Sequence, residues 1–173
     1  MVELLMKRRS IRTYKKTKIE EGKIQELVKA ALLSPSAKNI CPWEFIVATN
    51  EELLVKLSKA KAAGSSFLKD APLGIIVLAD SSQSDVWIED AAIAATIIHL
   101  TAEAMGLGSC WIQIRERKNN DTITAEEYVR DLLELPANIR VEAIISVGYA
   151  DEEKAPHKEE ELKYNKVYMN SYK

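Results

Sequence analysis

Basic side chains and one hydroxyl crowd the start of the chain. Arg8, Arg9, Ser10 and Arg12 stand among Lys7, Lys15, Lys16 and Lys18, with no acid between Lys7 and Lys18. Arg8 and Arg12 are four residues apart, and Arg9 adjoins Ser10. Cations and a hydroxyl converging on one point suit a phosphate dianion, each charge-assisted hydrogen bond contributing about 1.5–3 kcal/mol net. The same composition also suits a solvated basic face, and composition alone does not choose. The loop SPSAKN (34–39) is a second candidate, rich in turn formers and short polar groups, though a connector would look alike. Other chemistries lack their parts. There is no G-x-S-x-G elbow, no H-E-x-x-H pair and no cysteine beside a conspicuous histidine. Cys41, Cys110, His99 and His157 are the only thiols and imidazoles and have no metal-ligand spacing, so no metal is expected. Gly106-x-Gly108 follows a helical pattern and precedes a strand pattern, the reverse of a pyrophosphate cradle.

The elements that must position these residues are organised around Trp87 to Ile112. Trp87–Met105 is apolar nearly all round, broken strongly only by Glu89, Asp90, His99 and Glu103, and nothing interrupts a helix before Gly106. A helix apolar nearly all round must be buried nearly all round, and a second copy of the chain is the natural supplier of the second face. A charge at Ala95 is therefore expected to harm a dimer. His99, mid-helix in an apolar setting, reads as a satisfied core residue. Upstream, Val2, Leu5 and Met6 suggest a short first helix, and Ile24, Leu27, Val28, Ala31 and Leu32 recur at three and four over about 20–33. Strands are expected at 44–48, 73–79, 109–114 and 141–147. Thr49 with Glu52 and Thr124 with Glu127 have capping-box spacing, opening helices to about Ala63 and Leu133, and Ser84 or Asp85 would cap the long helix.

The totals set outer bounds. With 173 residues, 47% of them hydrophobic, one domain is expected, 1–150, followed by an arm, 151–173, too acid- and lysine-rich to fold alone. Tyr164, Val167, Tyr168, Met169 and Tyr172 give that arm something to lay on a partner. A net charge of −2 implies no nucleic acid. No uninterrupted apolar run reaches about 18 residues, so no membrane span is expected. Two cysteines and no signal-peptide pattern point to the cytoplasm.

Taken together, RRSIRTY near the start, SPSAKNICPWEF, DAPLGIIV and WIEDAAIAATIIHLTAEAMGLGSCWI resemble the nitroreductase family of FMN-dependent oxidoreductases, in order and spacing, over nearly the whole chain. The resemblance implies an α+β fold: a mixed, largely antiparallel sheet flanked by helices, in an intertwined homodimer whose long central helix lies at the interface. It implies that Arg8, Arg9 and Ser10 hold the FMN phosphate and ribityl end, and that Arg12 faces the pyrimidine edge. A cation there favours the charge that reduction places near N1 and O2. Ser34, Pro35, Ser36 and Asn39 would line the ring from the other subunit. Gln113 and Ile114 would approach N5 and O4, and Lys158 would add a second phosphate cation. Two departures stand out: Cys41 occupies the family's usual Gln position, and Glu159–Glu161 follow Lys158 where many members bear Arg. The helix that carries substrate specificity in larger members is absent, which implies a more open pocket.

The implied activity is hydride transfer from NADH or NADPH to flavin N5, then to a small aromatic acceptor: a nitroaromatic, a quinone or another flavin. No catalytic side chain is assigned, since the cofactor carries the chemistry. Alternatives are a specialised flavin reaction on the same scaffold (dehalogenation or flavin breakdown), a non-catalytic FMN carrier or sensor, and a dimeric structural protein with a basic patch.

Overall fold

A computed structural model describes residues 1–172; Lys173, the last residue of the expected arm, lies outside the described residues. In chain order the elements are α1 (Val2–Lys7), α2 (Glu21–Leu32), β1 (Trp43–Ala48), α3 (Glu51–Leu57), β2 (Leu73–Asp80), α4 (Trp87–Ala104), β3 (Gly108–Gln113), α5 (Ala125–Leu132) and β4 (Ile139–Gly148). The four strands form one sheet in the order β1-β2-β4-β3, every neighbouring pair antiparallel. A single parallel bridge, Ser10 to Ser109, makes the pattern mixed. The fold is α+β, as expected.

β2 is buried at every position because both sheet faces are covered, which is why it reads as an unbroken apolar run. One face packs Leu54, Leu57, Leu68 and Val129 of the α3 and α5 side against Ile76, Ile144 and Ile112. The other packs Leu27 and Ala31 of α2 and Ala91, Ala95, Ile98 and Ala102 of α4 against Ile75, Val77, Ile145 and Val147.

Local signals differ from the expectation at three points. α3 is capped by Asn50, whose side chain accepts the Leu53 N–H at 2.9 Å, and not by Thr49. It stops at Leu57 instead of reaching Ala63, where the Ser58 hydroxyl turns back onto the Val55 carbonyl at 2.8 Å. α4 follows Val86 with no side-chain cap; Ser84 Oγ accepts the Val86 N–H at 3.3 Å, just short of the helix. The Thr124–Glu127 capping box is present in full.

The two faces of α4 part company. Ala95 is wholly buried against its own sheet, so it does not face a second copy. The outward face carries Ile93, 40% exposed, with half-buried Ile97 and Leu100. No described helix is long and apolar enough to cross a membrane.

Residues 8–15 lie across the ends of β3 and β4, where Gly108 and Gly148 are register partners. A Cβ on Gly108 would stand 2.8 Å from Ile11, and one on Gly148 would stand 2.7 Å from both Tyr14 and Pro72. The paired glycines are thus a notch into which Ile11 and Tyr14 sink. Backbone bonds from Ile11 to Ser109, Lys15 to Tyr149 and Asp151 to Thr13, each 2.9 Å, fasten the segment there.

Candidate functional site

Arg8 ends α1 and leaves it in extended geometry. Its Nη1–H donates to His99 Nε2 on α4 at 2.9 Å, and His99 Nδ1 lies in a short hydrogen bond with Ser109 Oγ on β3. Burial, and secondarily the Arg8 charge, push the His99 pKa down to about 4, so the imidazole is neutral near pH 7. Neutral, it accepts at Nε2 and donates from Nδ1. Ser109 Oγ then donates to the His99 carbonyl at 3.4 Å. His99 is therefore satisfied, as expected of a core residue, and also joined to the basic cluster.

The neighbours of Arg8 are tied down by the chain beyond β4. Arg9 donates to the Ala155 carbonyl. Lys154 Nζ donates to the Ser10 carbonyl at 2.6 Å and pairs with Glu152 at 3.4 Å. Glu152 accepts the backbone N–H groups of Arg12 and Thr13, which hold its carboxyl below the usual range. Tyr14 is buried with its hydroxyl on the Ile11 carbonyl and 2.7 Å from Ser146 Oγ; burial raises its phenol well above the ordinary value. The Arg12 guanidinium sits 5.8 Å over the Phe67 ring. Among the described residues, Arg8, Arg9 and Arg12 form no ion pair with an acid.

The 34–41 loop is attached nearer the other end of α4. Ala37 N–H donates to Asp90 Oδ1 at 2.8 Å, while Asp90 Oδ2 is buried without a partner among the described residues. Asp90 and His99 are nine residues apart, so the two attachment points lie roughly 13 Å apart along the helix. Ser34 is buried and donates to the Ala30 carbonyl at 3.4 Å. Ser36 Oγ accepts the Cys41 N–H at 2.8 Å; Pro35 and Asn39 are exposed. Lys38, Asn39 and Cys41 all have positive φ, 51°, 56° and 55°.

The remaining expected residues occupy different places. β3 is an edge strand, and the Ser109 carbonyl faces outward to Ile11. By the alternation of an antiparallel ladder, Gln113 turns its own N–H and C=O to the same open edge. Its side chain accepts from Trp111 Nε1 at 2.8 Å and donates to Glu142 Oε1 at 3.2 Å. Burial raises the Glu142 carboxyl pKa. Ile114 is turned inward: its side chain is wholly buried and its N–H bonds the Glu142 carbonyl at 3.1 Å. Lys158 is exposed; beside it the His157 N–H donates to the Met6 carbonyl at 2.8 Å, so this part of the arm starts out against α1 of the same chain. The structure thus brings Arg8, Arg9, Ser10 and Arg12 to the start of β3 and leaves 34–41 apart from them.

Lys154, Glu152, His99 and Ser109 are the neighbours of the arginine segment that sequence reasoning missed. Lys154 carries no signal in a run of acids and lysines, and the other three act only through the arginine segment.

Against known proteins, the nitroreductase family model matches residues 5–65 and 58–149. A Clostridium difficile structure described as an FMN-dependent nitroreductase is 49% identical, covers 99% of each chain and superposes with a TM-score of 0.97. An Archaeoglobus fulgidus protein assigned by name to the NADH dehydrogenase/NAD(P)H nitroreductases is 37% identical over 88% of this chain and 87% of its own. One from Methanothermobacter thermautotrophicus with the same name is 34% identical over 88% of this chain and 78% of its own.

Proposed function

The chain belongs to the nitroreductase family and is an NAD(P)H-dependent oxidoreductase, and on that premise we propose that it uses FMN to pass a hydride from NADH or NADPH to a small aromatic acceptor. The observation that carries the cofactor reading is the state of the arginines. Arg8 is held by a neutral imidazole instead of a carboxylate, and neither Arg9 nor Arg12 is neutralised by an acid among the described residues. Their positive charge is left for an anion, while the Lys154 ammonium beside Ser10 is shared with the Glu152 carboxylate. This donor set fits a phosphate-ended flavin.

When bound, FMN supplies the two-electron chemistry for which the chain has no side chain of its own. Arg8, Arg9 and Ser10 bind the phosphate end, with Lys154 closing the Ser10 side and Lys158 an outlying cation. Arg12 meets the pyrimidine edge. The open main-chain edge at Gln113 approaches the reactive side of the ring; the adjacent Ile114 helps only by anchoring β3 to β4.

The 34–41 loop is attached to α4 at Asp90, roughly 13 Å along the helix from the His99 that holds Arg8, which supports a homodimer in which Ser34, Pro35, Ser36 and Asn39 of one copy face the arginines of the other. The outward face of α4 and the exposed Tyr164, Val167, Tyr168, Met169 and Tyr172 of the 151–173 arm are the surfaces for it. A nitroaromatic, a quinone or a second flavin all suit an open pocket.

The test is a spectrum. The purified protein is expected to be yellow, to release FMN on denaturation, to bleach anaerobically with NADH or NADPH and to recolour with an acceptor. Arg8→Ala is expected to weaken FMN binding about tenfold or more. A colourless protein indifferent to added FMN overturns the reading, while a yellow one that does not bleach is a carrier.

A further inference from the structure

We infer that His99 is a positioning residue for the cofactor phosphate, aiming the Arg8 guanidinium through a buried Arg8–His99–Ser109 relay. The inference rests on the proposed FMN site and adds to it a residue that touches no ligand. Three elements meet in the relay: the end of α1, the middle of α4 and the start of β3. His99 is 9% exposed and Ser109 is 2% exposed, so neither presents its polar atoms to a bound flavin.

The chemistry is directional. Arg8 can only donate, so the atom facing it must be a lone pair. Ser109 fixes which nitrogen that is: with its own hydrogen given to the His99 carbonyl, its Oγ accepts the Nδ1–H, and Nε2 is left bare. Without Ser109 the imidazole is free to turn its N–H toward Arg8. With the relay intact, one Nη1 hydrogen of Arg8 is committed and the other guanidinium hydrogens stay free, in a fixed plane, for a phosphate. A carboxylate in place of His99 would hold Arg8 too, but would cancel the charge the phosphate needs. A neutral acceptor orients the cation without spending it.

The experiment compares FMN with riboflavin, which lacks the phosphate, by flavin fluorescence titration of the full chain freed of flavin. His99→Leu is expected to weaken FMN about tenfold while riboflavin changes less than about twofold, the loss of one oriented charge-assisted contact. His99→Gln keeps an acceptor for Arg8 and a donor for Ser109, and is expected to restore most of the FMN affinity. Ser109→Ala is expected to fall between. In an Arg8→Ala background, His99→Leu should add nothing, because the group it aims is gone. Riboflavin binding doubles as the check that each variant is folded. If His99→Leu weakens FMN and riboflavin equally, or its loss adds to that of Arg8→Ala, the relay is wrong while the FMN site stands. If Arg8→Ala leaves the FMN-to-riboflavin ratio unchanged, the phosphate assignment of Arg8 falls, and the relay with it.

Discussion

Two segments of this chain carry the expected flavin contacts, and they are held in opposite ways. Residues 8–15 are sunk into the Gly108–Gly148 notch, stitched by backbone bonds to β3 and to the chain just beyond β4, and locked by buried Ile11 and Tyr14. Residues 34–41 are held by buried Ser34 on the end of α2 and by one bond to Asp90, and keep three non-glycine residues at positive φ. Such backbone costs about 1–3 kcal/mol per residue and persists where surroundings over-determine it. The first segment is preorganised by its own fold. The second is strained with few contacts of its own, the state expected of a loop whose remaining contacts come from a second copy of the chain.

The largest effect should come from filling the notch. Gly148→Val would put carbon against the rigid rings of Tyr14 and Pro72, and is expected to cost about 3 kcal/mol and to release flavin with it. The matched change in the loop, Pro35→Val at an exposed position, should stay within about 0.5 kcal/mol. Thermal melting of both variants checks the contrast; equal losses would break it.

A smaller effect separates the two segments by pH. The folded pKa of His99 is about 4, below its ordinary 6.5. Between those values the unfolded chain binds a proton that the folded chain refuses, so stability is full above pH 6.5 and drains away as pH falls toward 4. The loss is on the order of 2 kcal/mol. Arg8 and Ser109 are the groups facing the imidazole, and a charged ring would set an N–H against the Arg8 donor. Denaturant melts from pH 7 to 4.5 should show this slope in the wild type and a flatter curve in His99→Gln. Residues 34–41 contain no histidine and should contribute nothing in that window.

What the sequence made legible is local. α4 could be read because no residue before Gly106 opposes a helix, and the α5 cap because Thr124 and Glu127 stand at the right spacing. The α3 cap slipped by one residue because Thr49 and Asn50 are both good caps. The inward face of α4 is not legible: a helix apolar all round has no stripe to mark it, and nothing in the sequence assigns Ala95 to the sheet side where it lies. The contacts that build the proposed site are longer in range. Arg8 and His99 are 91 residues apart, and Gly108 meets Gly148 only after β3 and β4 have paired. The arginines themselves were visible as a cluster because a run of cations without acids is a local pattern. Lys154 and Glu152 joined them only through the path of the chain beyond β4.

The finest test of the contrast uses one substitution twice. Lys38 is exposed at φ 51°, and Lys15 is exposed without a positive φ. At Lys15, glycine only adds freedom to the unfolded chain and should cost about 0.5–1 kcal/mol. At Lys38 the same loss is offset by relief of the left-handed backbone, which costs a non-glycine residue roughly 1–2 kcal/mol. Lys38→Gly is therefore expected to be neutral or to stabilise by about 0.5 kcal/mol, the opposite sign from Lys15→Gly. Chemical denaturation of the two variants reads that difference directly. If both lose stability alike, the 34–41 loop holds no strain, and its left-handed residues are as comfortable as the extended ones in the notch.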